Sequence, residues 1–379
     1  MGNGTRFLIV IGSLALAAAI VVFFFGVSQS VPISVPPPAA SGGAPTPIPA
    51  ASPAPGGPSG AVKKTPSSPL AAGMEKLLAL LESGTATEGD LDALKRALLA
   101  ADPTAATAAI RGFLDSGRDA RTGLDFALRP GGDLAAPTMR VLLMDVLGRI
   151  AKRDGTGDAA KLARETLEKK DSADEWAIAL RNVAWHEPAA TGYLAAKARE
   201  MLAHAPWREA PTSGMLEAFD VIVFTKDATF TADLAKAQTD PNEQLHHAAD
   251  VALDRLAAAS PLDVMSYLNS HPATLAERPM LRADYFAKAD LAVPGQKTAL
   301  EFYLGRPDIS AAEKSKLLKA LATPASFVSE NLLTPPPSEF DEGARERAIL
   351  LALGEWLTGN RFPSLHSQFL TLQRRLARE

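Results

Sequence analysis

The chain has 379 residues, a formal net charge of −4, 47% hydrophobic and only 6% aromatic side chains, and no cysteine. Balanced charges leave no cationic footprint for a nucleic-acid partner. The missing cysteine excludes disulfides, thiolate metal sites, a cysteine nucleophile and thioether lipid anchors.

Residues 7–25 read FLIVIGSLALAAAIVVFFF and carry no charge. As a helix this run spans roughly 28 Å, close to the ~30 Å hydrocarbon core of a bilayer, so it is expected to cross a membrane. Arg6 precedes it and the next cations, Lys63 and Lys64, come far downstream, so the positive-inside bias puts the N-terminus in the cytoplasm. Residues 1–30 are therefore read as a cytoplasmic tip plus an uncleaved anchor. A cleavable signal peptide has a shorter apolar run and a better small-residue cleavage site than this segment offers.

Residues 31–70 contain twelve prolines among Ala, Gly and Ser, with too few apolar side chains to build a core. They are expected to form a disordered linker, stiffened toward polyproline II, with an upper reach on the order of 120 Å.

From residue 71 to 379 apolar residues recur at helical spacing, and an all-α domain is expected. Met139, Leu142, Leu143, Val146, Leu147, Ile150 and Ala151 make one broad stripe, and Leu245, Ala248, Ala249, Ala252, Leu253 and Leu256 another. A third comprises Ile349, Leu350, Leu353, Trp356 and Leu357. Asp102-Pro103, Asp240-Pro241 and Ser260-Pro261 read as N-caps followed by a first-turn proline. The run Phe219–Thr225 is rich in β-branched residues but does not alternate, so a buried helix is expected there too. Pro335-Pro336-Pro337 reads as a rigid break before the last helices.

Two segments resemble the HEAT-repeat signature D-P-x-x-x-V-R-x-A-A-x-x-A-L-G-x-L. Asp240-Pro241 through Leu256 follows it with Leu245 in the Val place and His246 in the Arg place. Pro137-Thr138-Met139-Arg140, continuing to Leu147-Gly148-Arg149-Ile150, keeps the Val-Arg-like pair and the Leu-Gly, and Leu353-Gly354 with Glu346 in the Arg place is a weaker echo. The resemblance implies a curved α-solenoid of helix pairs in which each repeat touches its neighbours and the surface binds another protein. The matches lie about 100 residues apart, or three units of roughly 35, so the units between them are degenerate.

No HExxH, GxSxG or P-loop occurs. Gly155-Thr156-Gly157-Asp158-Ala159-Ala160 imitates a dinucleotide fingerprint but follows a charged helix end, so it reads as a helix break. His246, Asp250 and Asp254 share one helix face, yet three ligands on a lone helix make a poor metal cage. No catalytic, cofactor-binding or metal residue is therefore expected, and no cofactor. Trp176 and Trp356 fall in apolar stripes and read as core, while Trp185, Trp207 and Arg208, at helix ends, are the candidates for a protein-binding surface. Arg374, Arg375 and Arg378 end the last helix, where they complement its dipole and could meet an acidic partner.

These readings make the chain a single-pass inner-membrane protein inserted through residues 7–25, its helical domain periplasmic or extracellular, acting as a non-enzymatic scaffold or adaptor for a protein partner. The alternatives are a cell-envelope enzyme acting on cell-wall material with groove carboxylates, and an assembly or stalk component of an envelope complex.

Overall fold

Capping side chains set where the helices begin. In the computed structural model, which describes residues 68–129, 132–323, 331–335 and 341–377, Ser68 caps the Ala71 amide and opens α1 (Pro69–Glu82). Helix thus begins two residues inside the segment that composition assigns to the linker. Thr87 and Asp90 form a reciprocal capping box at the start of α2 (Glu88–Ala100). Asp102 accepts the Ala105 amide at 2.8 Å and opens α3 (Pro103–Asp115), as its sequence predicts. An antiparallel hairpin follows, β1 (Ala127–Arg129) with β2 (Asp133–Ala135), Leu128 facing Leu134. Next come α4 (Met139–Asp154), α5 (Asp158–Leu167), α6 (Ala173–His186), α7 (Thr191–Ala203), α8 (Ala205–Glu209), α9 (Ser213–Glu217) and α10 (Phe219–Thr225). The rest are α11 (Phe230–Ala237), α12 (Glu243–Ala259), α13 (Pro261–Ser270), α14 (Pro279–Phe286), α15 (Pro294–Gly305), α16 (Ala311–Leu321), α17 (Glu342–Thr358) and, after one 3-10 turn, α18 (His366–Leu376).

No helix can shield its own apolar face, and most are covered by a neighbour in sequence, by the next helix but one, or, for α6 with α9 and α7 with α10, by the third along. In one layer α2 packs on α4, α4 on α6, α6 on α9, α10 on α12, α12 on α14, α14 on α16 and α16 on α18. A second layer covers it: α1 packs on α3 and α13 on α15, while Arg111 to Glu165, Arg199 to Asp233 and Lys297 to Glu355 link α3 to α5, α7 to α11 and α15 to α17. Buried side chains run continuously between the layers, with Trp176 and Trp356 both in the core as their stripes require. Helix α6 is buried nearly all round, from Trp176 to Ala184, which places it mid-layer.

The expected all-α architecture holds from residue 69 onward, with the hairpin as the exception among the described residues. Phe219–Thr225 is helical, and Gly155 ends α4 in the left-handed conformation at φ 71°, where the fingerprint-like run reads as a break. Two caps differ from expectation. Helix α12 starts at Glu243 on an Asn242 cap, because the Asp240 carboxylate instead accepts the Asn242 amide and pairs with Arg208. Ser260 precedes α13 without a side-chain capping bond. The anchor expected over residues 7–25 and nearly all of the linker lie outside the described residues, among which no helix is long and apolar enough to cross a membrane.

Candidate protein-interaction surface

The polar groups inside the helical layers decide which chemistry is free to act. On α4, Asp145 is fully buried and receives Arg181 of α6 at 2.7 Å, Arg149 at 2.9 Å and Lys95 of α2 at 3.6 Å, while Lys95 also pairs with Asp133. Burial pushes the Asp145 carboxyl up, but the three cations outweigh it and hold the group below the usual carboxylate range. Arg181 is itself 1% exposed, and burial draws its guanidinium down. Beside this cluster Asn182 donates to the Met144 carbonyl at 3.0 Å, and its amide lies so close to Gly148 that an added Cβ would sit 2.2 Å from Oδ1. The Leu-Gly of the repeat-like signature therefore marks a close approach of α4 and α6.

The arrangement recurs along the array. Arg255 of α12 reaches Asp220 of α10 at 2.7 Å, and Arg282 of α14 reaches Glu313 of α16 at 2.7 Å, with the Tyr303 hydroxyl donating to the same carboxylate. Glu301 of α15 accepts the Trp356 indole at 2.7 Å and meets Lys297 at 2.9 Å and Arg361 at 2.8 Å. Burial opposes ionisation there, but the indole hydrogen bond and the Lys297 charge win and keep the carboxyl low. Asp145 and Glu301 are thus held ionised by fixed donors, the opposite of what a general acid requires. Asp119 and Glu217 are pushed up, chiefly by burial, but neither lines the clefts described below. The cleft around Lys95, Glu88 and Asp92 has about 10 Å³ of free space, less than a sugar ring needs.

The three side chains proposed for partner binding each have partners of their own within the chain. Trp185, at the end of α6, is half-buried, with the Arg181 guanidinium 4.0 Å and the Lys152 ammonium 4.4 Å from its ring centre. Trp207, on α8, is 9% exposed and packs edge-on to Trp176 at 5.2 Å and against His204 at 4.4 Å, so it serves the core. Arg208 is exposed but engaged with Asp240 at 2.6 Å, a bond that holds that carboxyl low. On α12, His246 pairs with Asp250 at 3.1 Å, and Asp254 turns instead to Lys288 of the adjoining turn at 2.7 Å.

A better-formed surface feature lies between α16 and α18. It is a cleft of about 210 Å³ floored by Leu318 and Leu372, bordered by Ser315, Ser367 and Thr371, and flanked by Lys319 and Arg375. No acidic side chain lines it, and the buried Oε1 of Gln368 in its wall meets no protein donor. The volume falls below the roughly 300 Å³ at which enclosed small-molecule pockets begin, so it suits one or two side chains of a docked chain. Arg375 is legible in sequence as part of the terminal arginine cluster; Lys319, Leu318 and Leu372 are not, because only the packing of α16 on α18 brings them beside it. Elsewhere Phe302 and Leu351 stand 60% and 71% exposed. No protein family, curated protein or solved structure matches the chain.

Proposed function

We propose that the protein is a membrane-tethered adaptor: a HEAT-like solenoid, held outside the cytoplasm by an anchor at residues 7–25 and a proline-rich spacer, that docks a protein partner on its helical surface. The observation that carries this reading is the cleft between α16 and α18, an apolar floor flanked by cations with no acid in its lining. An acidic amphipathic helix fits that chemistry, its leucine-type side chains on Leu318 and Leu372 and its carboxylates on Lys319 and Arg375. The chain of packings from α2 through α4, α6 and α9, and from α10 through α12, α14 and α16 to α18, supports the solenoid, as do the two repeat-like segments, which become α4 and α12 of the same layer. Partly open aromatic surface at Trp185 is the second place a partner would grip.

The experiment is cross-linking in native membranes with the full chain carrying a photoreactive residue at Ser367, beside the cleft. One discrete protein adduct, lost in a Lys319→Glu/Arg375→Glu variant, is the expected result. Cross-links that spread over many proteins, or that survive the double charge reversal, would remove the reading.

A further inference from the structure

Leu333 and Thr334, which lie in sequence between α16 and α17, bond to two other helices. Helix α16 packs on α14 and α18, yet Leu333 and Thr334 bond to side chains of α10 and α12. The Asp220 carboxylate accepts the amides of Leu333 and Thr334, both at 2.7 Å, on Oδ2, and the Thr334 hydroxyl at 2.5 Å on Oδ1. Arg255 bridges the same atoms, pairing with Asp220 Oδ1 at 2.7 Å and donating to the Thr334 hydroxyl. Leu332 is 3% exposed and joins the core.

This node differs from the other buried ion pairs of its layer. Asp145 and Glu313 are closed by side chains alone: Arg181, Arg149 and Lys95 for the first, Arg282 and Tyr303 for the second. At α10 and α12 the helices supply Arg255 to one carboxylate oxygen, and the amides of a bent backbone fill the other. A buried carboxylate left short of donors is costly, so this face is complete only with a peptide on it. Nearby Glu217 has its carboxyl pushed up by burial and by the Asp220 charge, which adds to the demand for donors at this spot. What the segment contributes is what a peptide bent at this point can offer: two consecutive amides turned to one oxygen, one hydroxyl and one leucine.

We infer that the α10–α12 face is a peptide-recognition site, occupied in cis by Leu332–Thr334, and that a partner protein engages it with a bent segment carrying a leucine two residues before a threonine or serine. The inference deepens the adaptor reading by naming what the partner presents at a second place. It stands or falls separately from the α16–α18 cleft, because its test uses a peptide and no partner.

The probe is a fluorescein-labelled synthetic peptide of residues 329–337 of this chain. The receptor is the full-length protein with the cis segment released by Leu332→Ser and Thr334→Gly. The peptide should bind this variant at least tenfold more tightly than the wild-type chain, where the tethered segment competes at an effective concentration on the order of millimolar. Adding Asp220→Asn, or replacing the threonine of the peptide by valine, should each weaken binding at least tenfold. No binding to a released variant that keeps the wild-type circular dichroism, or binding indifferent to Asp220→Asn, overturns the inference. Should release unfold the array, hydrogen exchange on the wild-type protein decides: millimolar peptide should speed exchange at the Leu333 and Thr334 amides while leaving those of α12 unchanged. Unaltered exchange at those two amides counts against the site.

Discussion

Replacing Asp145 by asparagine is the sharpest probe of the buried network. The substitution keeps shape and removes one charge, leaving Arg181, Arg149 and Lys95 around a neutral amide. Arg149 is 25% exposed and can turn to water, and Lys95 retains Asp133. Arg181, at 1% exposure with Asp145 as its ion-pair partner, is stranded. Stranding one buried charge costs about 3–5 kcal/mol, so Asp145→Asn should lose that much. Arg181→Met should lose less, about 1–3 kcal/mol, because Asp145 keeps two cations. The double variant Asp145→Leu/Arg181→Met should recover most of the loss, since it leaves neither partner orphaned. Urea is the denaturant of choice, as guanidinium would screen the charges, and hydrogen exchange at α4 and α6 amides localises the effect if the array does not melt in one step. Equal losses for Asp145→Asn and Arg181→Met, or a double variant that loses their sum, would refute the reasoning. The acid dependence follows with its sign. A carboxyl held low when folded contributes stability above its unfolded value of about 3.8, and loses it as pH falls through the lower folded value. Asp145→Asn should therefore flatten the stability profile below pH ~3.8.

Two glycines in the repeat-like signature should respond oppositely to alanine. Gly148→Ala forces its Cβ into Asn182, which is itself bonded to Met144, and should cost about 1–3 kcal/mol in urea unfolding. Gly354 has nothing within 4 Å of a built Cβ and lies inside α17, so Gly354→Ala should gain about 0.5–1 kcal/mol by the same measurement. Lys319→Glu/Arg375→Glu should leave the thermal melt within about a degree of wild type while abolishing partner cross-linking, because both side chains are exposed. A melt lowered by several degrees would mean that these cations hold α16 to α18 instead of facing a partner.

Apolar periodicity carried most of the fold. The stripe from Met139 to Ala151 became α4, and the structure adds that Gly148 of its Leu-Gly pair lies against Asn182 of α6. Asp240 was misread because its carboxylate is taken by Arg208, and a partner on another helix leaves no trace in the local pattern. The hairpin was missed because three-residue strands are too short to show alternation, although the Pro130-Gly131-Gly132-Asp133 run that joins them is turn-like in composition. Charges inside stripes were the least legible feature. Nothing in the local pattern singles out Asp145, Arg181 or Asp220, yet each lies in the interior against another helix. Trp207 likewise looked like an interface anchor at a helix end, and only the packing of α8 beside Trp176 made it core.

Those interior charges have a consequence that burial alone does not supply. Faces made of alanine and leucine are smooth and repetitive, so two such helices can slide by a turn while burying similar area. A charge pair cannot follow. Moving α6 by one turn, about 5.4 Å, would take Arg181 away from Asp145 and strand its guanidinium in an apolar interior. The same argument applies to Arg255 with Asp220 and to Arg282 with Glu313. Even where such pairs add little net stability, every shifted alternative is worse by the cost of orphaned charges, so the pairs select one register between a helix and the next but one. An array fixed in this way keeps its surface in a constant arrangement, which is what a docking platform requires.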